Sequence, residues 1–140
     1  MELLHKELTG RIIGVAMEVH NELGCGFLEA IYQDAIELEL NLQKLLFVRQ
    51  KPFRVFYKGV VLKRPYIPDL IIGETVVVDL KAIAKLGAIE EAQMINYLKT
   101  TGLAVGLVIN FGAPSLQWKR VVQTNSNPNS NPPNPRNPRS

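Results

Sequence analysis

Cysteine occurs once in this chain of 140 residues, at Cys25, so no internal disulfide can form and a reducing compartment suits it. No base stands beside that thiol in the sequence, which leaves a reactive role without support. No apolar run approaches the roughly 18 residues that a membrane span needs, and no leader pattern opens the chain. A soluble cytoplasmic protein with no membrane association is therefore expected. The phosphate loop GxxxxGK[ST] is also missing, which excludes the commonest route to nucleotide hydrolysis. Charge of one sign is scarce as well: the net +3 includes Arg136 and Arg139, and without those two the balance is +1. Such a balance argues against a broad basic surface and a tight, nonspecific grip on nucleic acid.

With 46% apolar residues the chain can build one domain with a real core, but not two. Residues 124–140 read TNSNPNSNPPNPRNPRS and hold nothing to bury, so a domain over 1–123 and a disordered tail over 124–140 are expected. The domain is organised around PDLIIGETVVVDLK, which starts at Pro68 and ends at Lys81. Two apolar strands, residues 70–72 and 76–80, flank a two-residue turn at Gly73 and Glu74. Strand alternation puts Asp79 and Lys81 on one face, and a tight hairpin brings Asp69 near Asp79. Two carboxylates that close repel each other, and a hard divalent cation, Mg²⁺ or Mn²⁺, is the usual remedy. The Leu80 carbonyl can add an oxygen, and Lys81 can orient or deprotonate a water. An ordinary surface hairpin with an Asp/Lys pair has the same spacing.

The order Pro68-Asp69, hairpin, Asp79-x-Lys81 resembles the PD-(D/E)XK nuclease superfamily. GFLEAIY, from Gly26 to Tyr32, is similar to the Gly-x-x-Glu-x-x-Tyr signature of the small bacterial GxxExxY proteins, which are assigned to that superfamily. Gln93 and Tyr97 resemble the Gln-x-x-x-Tyr element of lambda-exonuclease and RecB-like nucleases, and VGLVINFG, from Val105 to Gly112, resembles the closing strand. The resemblance covers roughly residues 5–122. It implies an α/β fold with a restriction-endonuclease-like core, a mixed central β-sheet flanked by α-helices. It also implies hydrolysis of DNA phosphodiesters, with Asp69, Asp79, Glu29 and the Leu80 carbonyl holding Mg²⁺ or Mn²⁺ and Lys81 acting on water. Two departures stand out: Lys44-Leu45-Leu46 replaces a usual glycine, and Asp79 replaces the commoner glutamate with a shorter arm.

Apolar residues at Leu8, Ile12, Val15, Ala16, Val19 and Leu23 recur at helical spacing over residues 3–23, with Gly24 as the stop. His20 near that end is either a cap stabilised by the helix dipole or, by resemblance, an approach to the metal. As a ligand it would tilt the site from Mg²⁺ toward Mn²⁺. A second helix is expected over residues 28–44, where Glu29, Tyr32, Gln33 and Ile36 share one face. Glu29 is either a first-turn glutamate favoured by the dipole or the third acidic ligand; Tyr32 suits packing with its hydroxyl bonded to a neighbour. Residues 46–57 turn to β character, and Lys58-Gly59 is a hairpin turn before residues 60–62. Arg49, Lys51, Arg54, Lys58, Lys63 and Arg64 either solvate a strand edge or form a phosphate rim.

A third helix is expected over residues 88–100, with Glu90, Gln93 and Tyr97 on one face and Met94, Ile95 and Leu98 for the core. Gln93 and Tyr97 are candidate substrate-binding residues, since amide and phenol suit a phosphate or base. The apolar run 104–110 reads as a buried strand reached by a right-handed parallel crossover, and residues 116–122 as an edge strand with Trp118 packed. A non-catalytic binding or regulatory module in a DNA-processing or defence assembly fits the small size and near-neutral charge, with a protein partner or a homodimer as further options.

Overall fold

The structure is a computed structural model and describes residues 2–123; the expected tail lies outside the described residues. Helix α1 spans Glu2–Leu23 and α2 Glu29–Leu42. Strand β1 (Phe47–Arg49) is followed by a small hairpin, β2 (Phe56–Tyr57) and β3 (Val60–Val61). Then come β4 (Leu70–Ile72), β5 (Val76–Lys81), α3 (Ala88–Thr101), β6 (Val105–Asn110) and β7 (Gln117–Val122). The main sheet has five strands in the order β1-β4-β5-β6-β7. Only β5 and β6 run parallel, joined through α3; their neighbours pair antiparallel. This is the mixed sheet flanked by helices that the resemblance implies.

Strand alternation divides the core in two. Val76, Val78 and Leu80 of β5, with Val105, Leu107 and Ile109 of β6, meet Ile12, Val15, Ala16 and Val19 of α1 and Tyr32, Ile36 and Leu40 of α2. Val77 and Val108 face the other way, onto Met94 and Leu98 of α3. Because the period is two, Asp79 and Lys81 share the α3 face with Val77. Gly106 lies on that face too, where any Cβ would run into Met94.

Several expectations need correction. The residues 46–57 do not make one strand: Gln50 takes a left-handed φ of 52° and Pro52 has no N–H to donate. The segment therefore splits into β1, an isolated bridge between Phe53 and Tyr66, and the separate β2–β3 hairpin. Ile72 pairs with Val76, so the β4–β5 loop holds three residues rather than two, with Gly73 and Glu74 both at positive φ. Ile95 is exposed and leaves the core of α3 to Met94 and Leu98. Trp118 is also exposed, because α3 packs on the Val121 face of the edge strand β7 and Trp118 lies on the opposite face.

The place where glycine is usual proves informative. Helix α2 ends with Leu45 N–H bonded to the Leu40 carbonyl (2.9 Å) and Lys44 N–H bonded to the Asn41 carbonyl (3.1 Å). That is a Schellman ending, which needs a left-handed residue just past the cap, and Lys44 fills it at φ 60°. A side chain there pays for the conformation, whereas glycine does not. Lys44→Gly should raise stability by roughly 0.5–1 kcal/mol, read as a higher urea midpoint with an unchanged denaturant slope.

Candidate active site

The site grows from the β4–β5 register. Leu70 opposes Val78, so Asp69 falls opposite Asp79 where β4 begins and β5 nears its end. Asp69 N–H donates to Asp79 Oδ1 at 3.5 Å, and Leu80 N–H donates to Asp69 Oδ2 at 2.7 Å. Tyr66 donates its hydroxyl to Asp79 Oδ1 at 3.1 Å, and its ring stacks on Tyr97 at 3.9 Å between centroids. Each carboxylate is thus held by one oxygen. The other oxygens, Asp69 Oδ1 and Asp79 Oδ2, accept from no described residue and are not among the sealed, unpartnered atoms. Both face accessible space.

Burial and proximity act together on this pair. Asp79 is only 8% exposed, and burial, then the neighbouring Asp69, push its carboxyl up to about 6; Tyr66, the Asp69 amide and Lys81 pull the other way. Burial likewise raises Asp69, opposed by the Leu80 N–H and by Lys81. Glu29, at the solvent-facing start of α2, is raised by partial desolvation and then by Asp69, and lowered by Lys81. Burial and the carboxylates also raise the phenols of Tyr66 and Tyr97. The negative field is concentrated where strand ends and the α2 N-terminus meet.

Lys81 donates its ammonium to Gln93 Oε1 at 3.2 Å, a neutral partner, and forms no ion pair among the described residues. Its charge is therefore not spent on a carboxylate. Gln33 donates to the Asp69 backbone carbonyl (3.2 Å) and to Glu37 (2.6 Å), and Glu37 in turn pairs with Arg49 at 3.0 Å. This chain ties α2 to the strand that carries Asp69. The amide of Asn110, fully buried, accepts from the Ile83 and Gly112 N–H groups and donates to Ile83 O and Gln117. It anchors the segment that leaves β5 just after Lys81.

The expected residues do not all meet. Asp69, Asp79 and Leu80 are joined by hydrogen bonds and Tyr97 joins them through Tyr66, whereas Lys81 and Gln93 bond to each other and Lys81 reaches the carboxylates through its field. Glu29 enters through the field it shares with Asp69 and Lys81. His20 goes elsewhere: its Nε2 lies 3.0 Å from the Ala113 carbonyl, and its ring stacks on Phe111. A carbonyl only accepts, so that nitrogen carries the hydrogen. Glu90 leaves the Gln93 face to accept from the Gly87 N–H at 2.8 Å as a helix cap. Among the described residues no group of three or more His, Cys, Asp and Glu side chains converges to hold a metal. The side-chain set in hand is the aspartate pair.

Tyr66, Gln33 and Asn110 escaped the sequence reading. Gln33 was visible on the core-facing stripe of α2, and a buried glutamine there signals a partner. Tyr66 carried no such signal, since its role depends on the Phe53 bridge that brings its segment alongside.

The family sequence model of the PD-(D/E)XK nuclease superfamily matches residues 6–121. The chain belongs to this superfamily. Its Pro68-Asp69 and Asp79-x-Lys81 elements are the parts that the fold brings together, on adjacent strands. PD-(D/E)XK nucleases generally use divalent metals. Comparison with curated proteins and with solved structures gives no match. Among the described residues, no helix is long and apolar enough to cross a membrane.

The Asp79 shift has a stability consequence in metal-free protein. In the unfolded chain this carboxyl titrates near pH 4, while in the fold it keeps its proton to about pH 6. The folded state therefore binds more protons between those values, and its stability falls as pH rises through them. Asp79→Asn, which keeps an acceptor for Tyr66, should stabilise the protein in EDTA by roughly 1–3 kcal/mol near neutral pH, with the gain closing toward pH 4. Urea unfolding of both proteins across that range checks the sign.

Proposed function

We propose that this protein is a metal-dependent nuclease that hydrolyses DNA phosphodiesters at the Asp69/Asp79 pair. The observation that carries the reading is the pair itself: two partly or largely buried carboxylates on adjacent strands, each with one oxygen held and one open. Nothing in folding alone favours it, since burial and mutual repulsion raise both pKa values. A hard cation reverses that balance, and an all-oxygen donor set suits Mg²⁺ or Mn²⁺.

In this reading Asp69 and Asp79 hold the cation through their open oxygens. The Leu80 carbonyl is an additional donor, since the amide and carbonyl of one strand residue point the same way and the Leu80 amide already points to Asp69. Glu29 joins the acidic set through water, and His20, bonded to the Ala113 carbonyl, is given no ligand role in this reading. The bound cation supplies charge neutralisation at the phosphate and activation of water. Lys81, oriented by Gln93, positions the attacking water or stabilises developing charge. Tyr97 acts through Tyr66, whose hydroxyl sets the Asp79 carboxylate.

Assignment to the GxxExxY proteins is part of the proposal, and the local structure gives the signature a physical sense. Gly26 sits at φ 114°, open only to glycine. Tyr32, fully buried, donates to the Gly24 carbonyl at 2.6 Å and accepts from the Phe27 N–H at 3.2 Å, so it clamps that turn. Glu29 then projects from the first turn of α2 into the field of Asp69.

Calorimetry with Mn²⁺ and Mg²⁺, together with cleavage of plasmid and single-stranded DNA, tests the proposal. Wild type should bind Mn²⁺, Asp79→Ala should bind it at least about tenfold more weakly, and Lys81→Ala should keep binding while losing about 10²-fold or more in cleavage rate. Tyr66→Phe should weaken Mn²⁺ binding by about tenfold, the cost of losing a group that orients a ligand. Absence of metal binding by wild type would instead favour a non-catalytic binding module built on this fold.

A further inference from the structure

The β2–β3 hairpin stands apart from the main sheet, yet it is rooted at the site. Phe53 and Tyr66 exchange two backbone hydrogen bonds (2.8 and 2.9 Å), and Leu62 N–H bonds to the Val55 carbonyl at 2.8 Å. Together these bonds make residues 53–66 an arm whose base is Tyr66, the residue that holds Asp79. Between Gln50 and Ile67 the chain carries Lys51, Arg54, Lys58, Lys63 and Arg64 and no acidic residue. All five are exposed, and none has an ion-pair partner among the described residues. The near-neutral total of the chain conceals this local concentration.

Exposed aromatic and apolar side chains are interleaved with the cations. Tyr57 is 60% exposed opposite Val60, and Phe56 is 48% exposed opposite Val61. Residues paired across a hairpin lie on the same face, so each face carries one exposed aromatic. Lys58 lies over the Tyr57 ring at 5.4 Å, but edge protection accounts for lysines and not for rings that stay this exposed, and a hairpin of two-residue strands gains little stability from them. Charge decides between occupants. A second copy of this chain docked arm to arm would bring cation against cation, whereas a nucleic-acid strand brings phosphates to the cations and flat bases to the rings.

We infer that the arm formed by residues 53–66, with Lys51 at its base, binds unpaired single-stranded DNA and leads it to the Asp69/Asp79 site. Phosphates lie against Lys51, Arg54, Lys58, Lys63 and Arg64, and exposed bases stack on Tyr57 and Phe56. The inference rests on the nuclease reading for the destination of the strand, but binding by the arm requires no chemistry.

The test is fluorescence anisotropy of full-length protein in EDTA with a labelled oligothymidylate and with a labelled duplex, over a salt series. Wild type should prefer the single strand. Replacing three cations together (Lys51→Ser, Arg54→Ser, Lys63→Ser) should weaken binding by about 10- to 100-fold at low salt and flatten the slope of log K against log salt by about 2. Tyr57→Ser should cost about tenfold with the slope unchanged. A control with the same charge change on other elements (Lys6→Ser, Lys99→Ser, Lys119→Ser) should lose much less. Lys63→Ser alone, outside the paired residues, should act in the same direction if the triple variant fails to fold. Equal losses in the control, unchanged binding in the arm variants, or no preference for the single strand would overturn the inference. So would arm variants that change only self-association in sedimentation. Arm-dependent binding without Mn²⁺-supported cleavage would defeat the nuclease reading and leave the arm standing. Cleavage with binding indifferent to the arm would do the reverse.

Discussion

Everything in this protein turns on two carboxylates facing each other across one antiparallel pair. Placing Asp69 opposite Asp79 is unfavourable twice over, through lost hydration and through repulsion. The surroundings moderate the conflict without removing it. Leu80 N–H and Tyr66 each give one hydrogen bond to one oxygen, and Lys81 contributes field from along the strand. No arginine or lysine closes the pair into an ion pair among the described residues. A fold that supplies orientation but withholds neutralisation keeps the pair open to a cation, and that is the physical link between structure and proposed function.

The two core layers divide the work around that pair. On one side α1 and α2 cover Val76, Val78 and Leu80 and make the packed bulk of the domain. On the other side α3 covers Val77, and then, as the apolar face gives out at Asp79 and Lys81, its Gln93 takes over with a hydrogen bond to Lys81 and its Tyr97 with a stack on Tyr66. The helix thus changes from packing element to site element at the point where β5 changes from valine to aspartate. From the first layer, among the described residues, the start of α2 reaches the site through Glu29 and Gln33. Two layers joined at one strand end give donors from several elements without a loop having to carry them.

How much of this was legible in the chain follows from which interactions are local. Helices α1 to α3, the apolar strands and the Gly24 stop are encoded in periodicity and turn residues, and they stand where expected. Asp69, Asp79 and Lys81 were legible because a hairpin with a short loop is nearly a local structure. Lys44 was legible as an oddity, a side chain in a glycine position, although its left-handed φ was not. Tyr66 was not legible, because its contact with Asp79 depends on a non-local bridge to Phe53 and a stack on Tyr97. The break of residues 46–57 into separate pieces was missed for the opposite reason: β-branched and aromatic residues read as one strand, while Gln50 and Pro52 decide the backbone.

The partner of Lys81 shows why the neutral residues matter as much as the charged ones. Beside two raised carboxylates, an ammonium would ordinarily close onto the nearer one and cancel both charges. Here the Gln93 amide oxygen takes a hydrogen bond from it at 3.2 Å. The bond fixes the ammonium in direction without cancelling its charge, since an amide carries a dipole rather than a charge. Asn110 secures the exit of β5 with every amide hydrogen and its carbonyl oxygen engaged, so the backbone behind Lys81 is held as well. A lysine steered by a neutral amide, beside an acidic pair steered by a tyrosine and a backbone amide, keeps opposite charges close together yet uncombined. Such a separation costs stability, and in the proposed function, where the site receives a cation and a phosphate, that cost has a use.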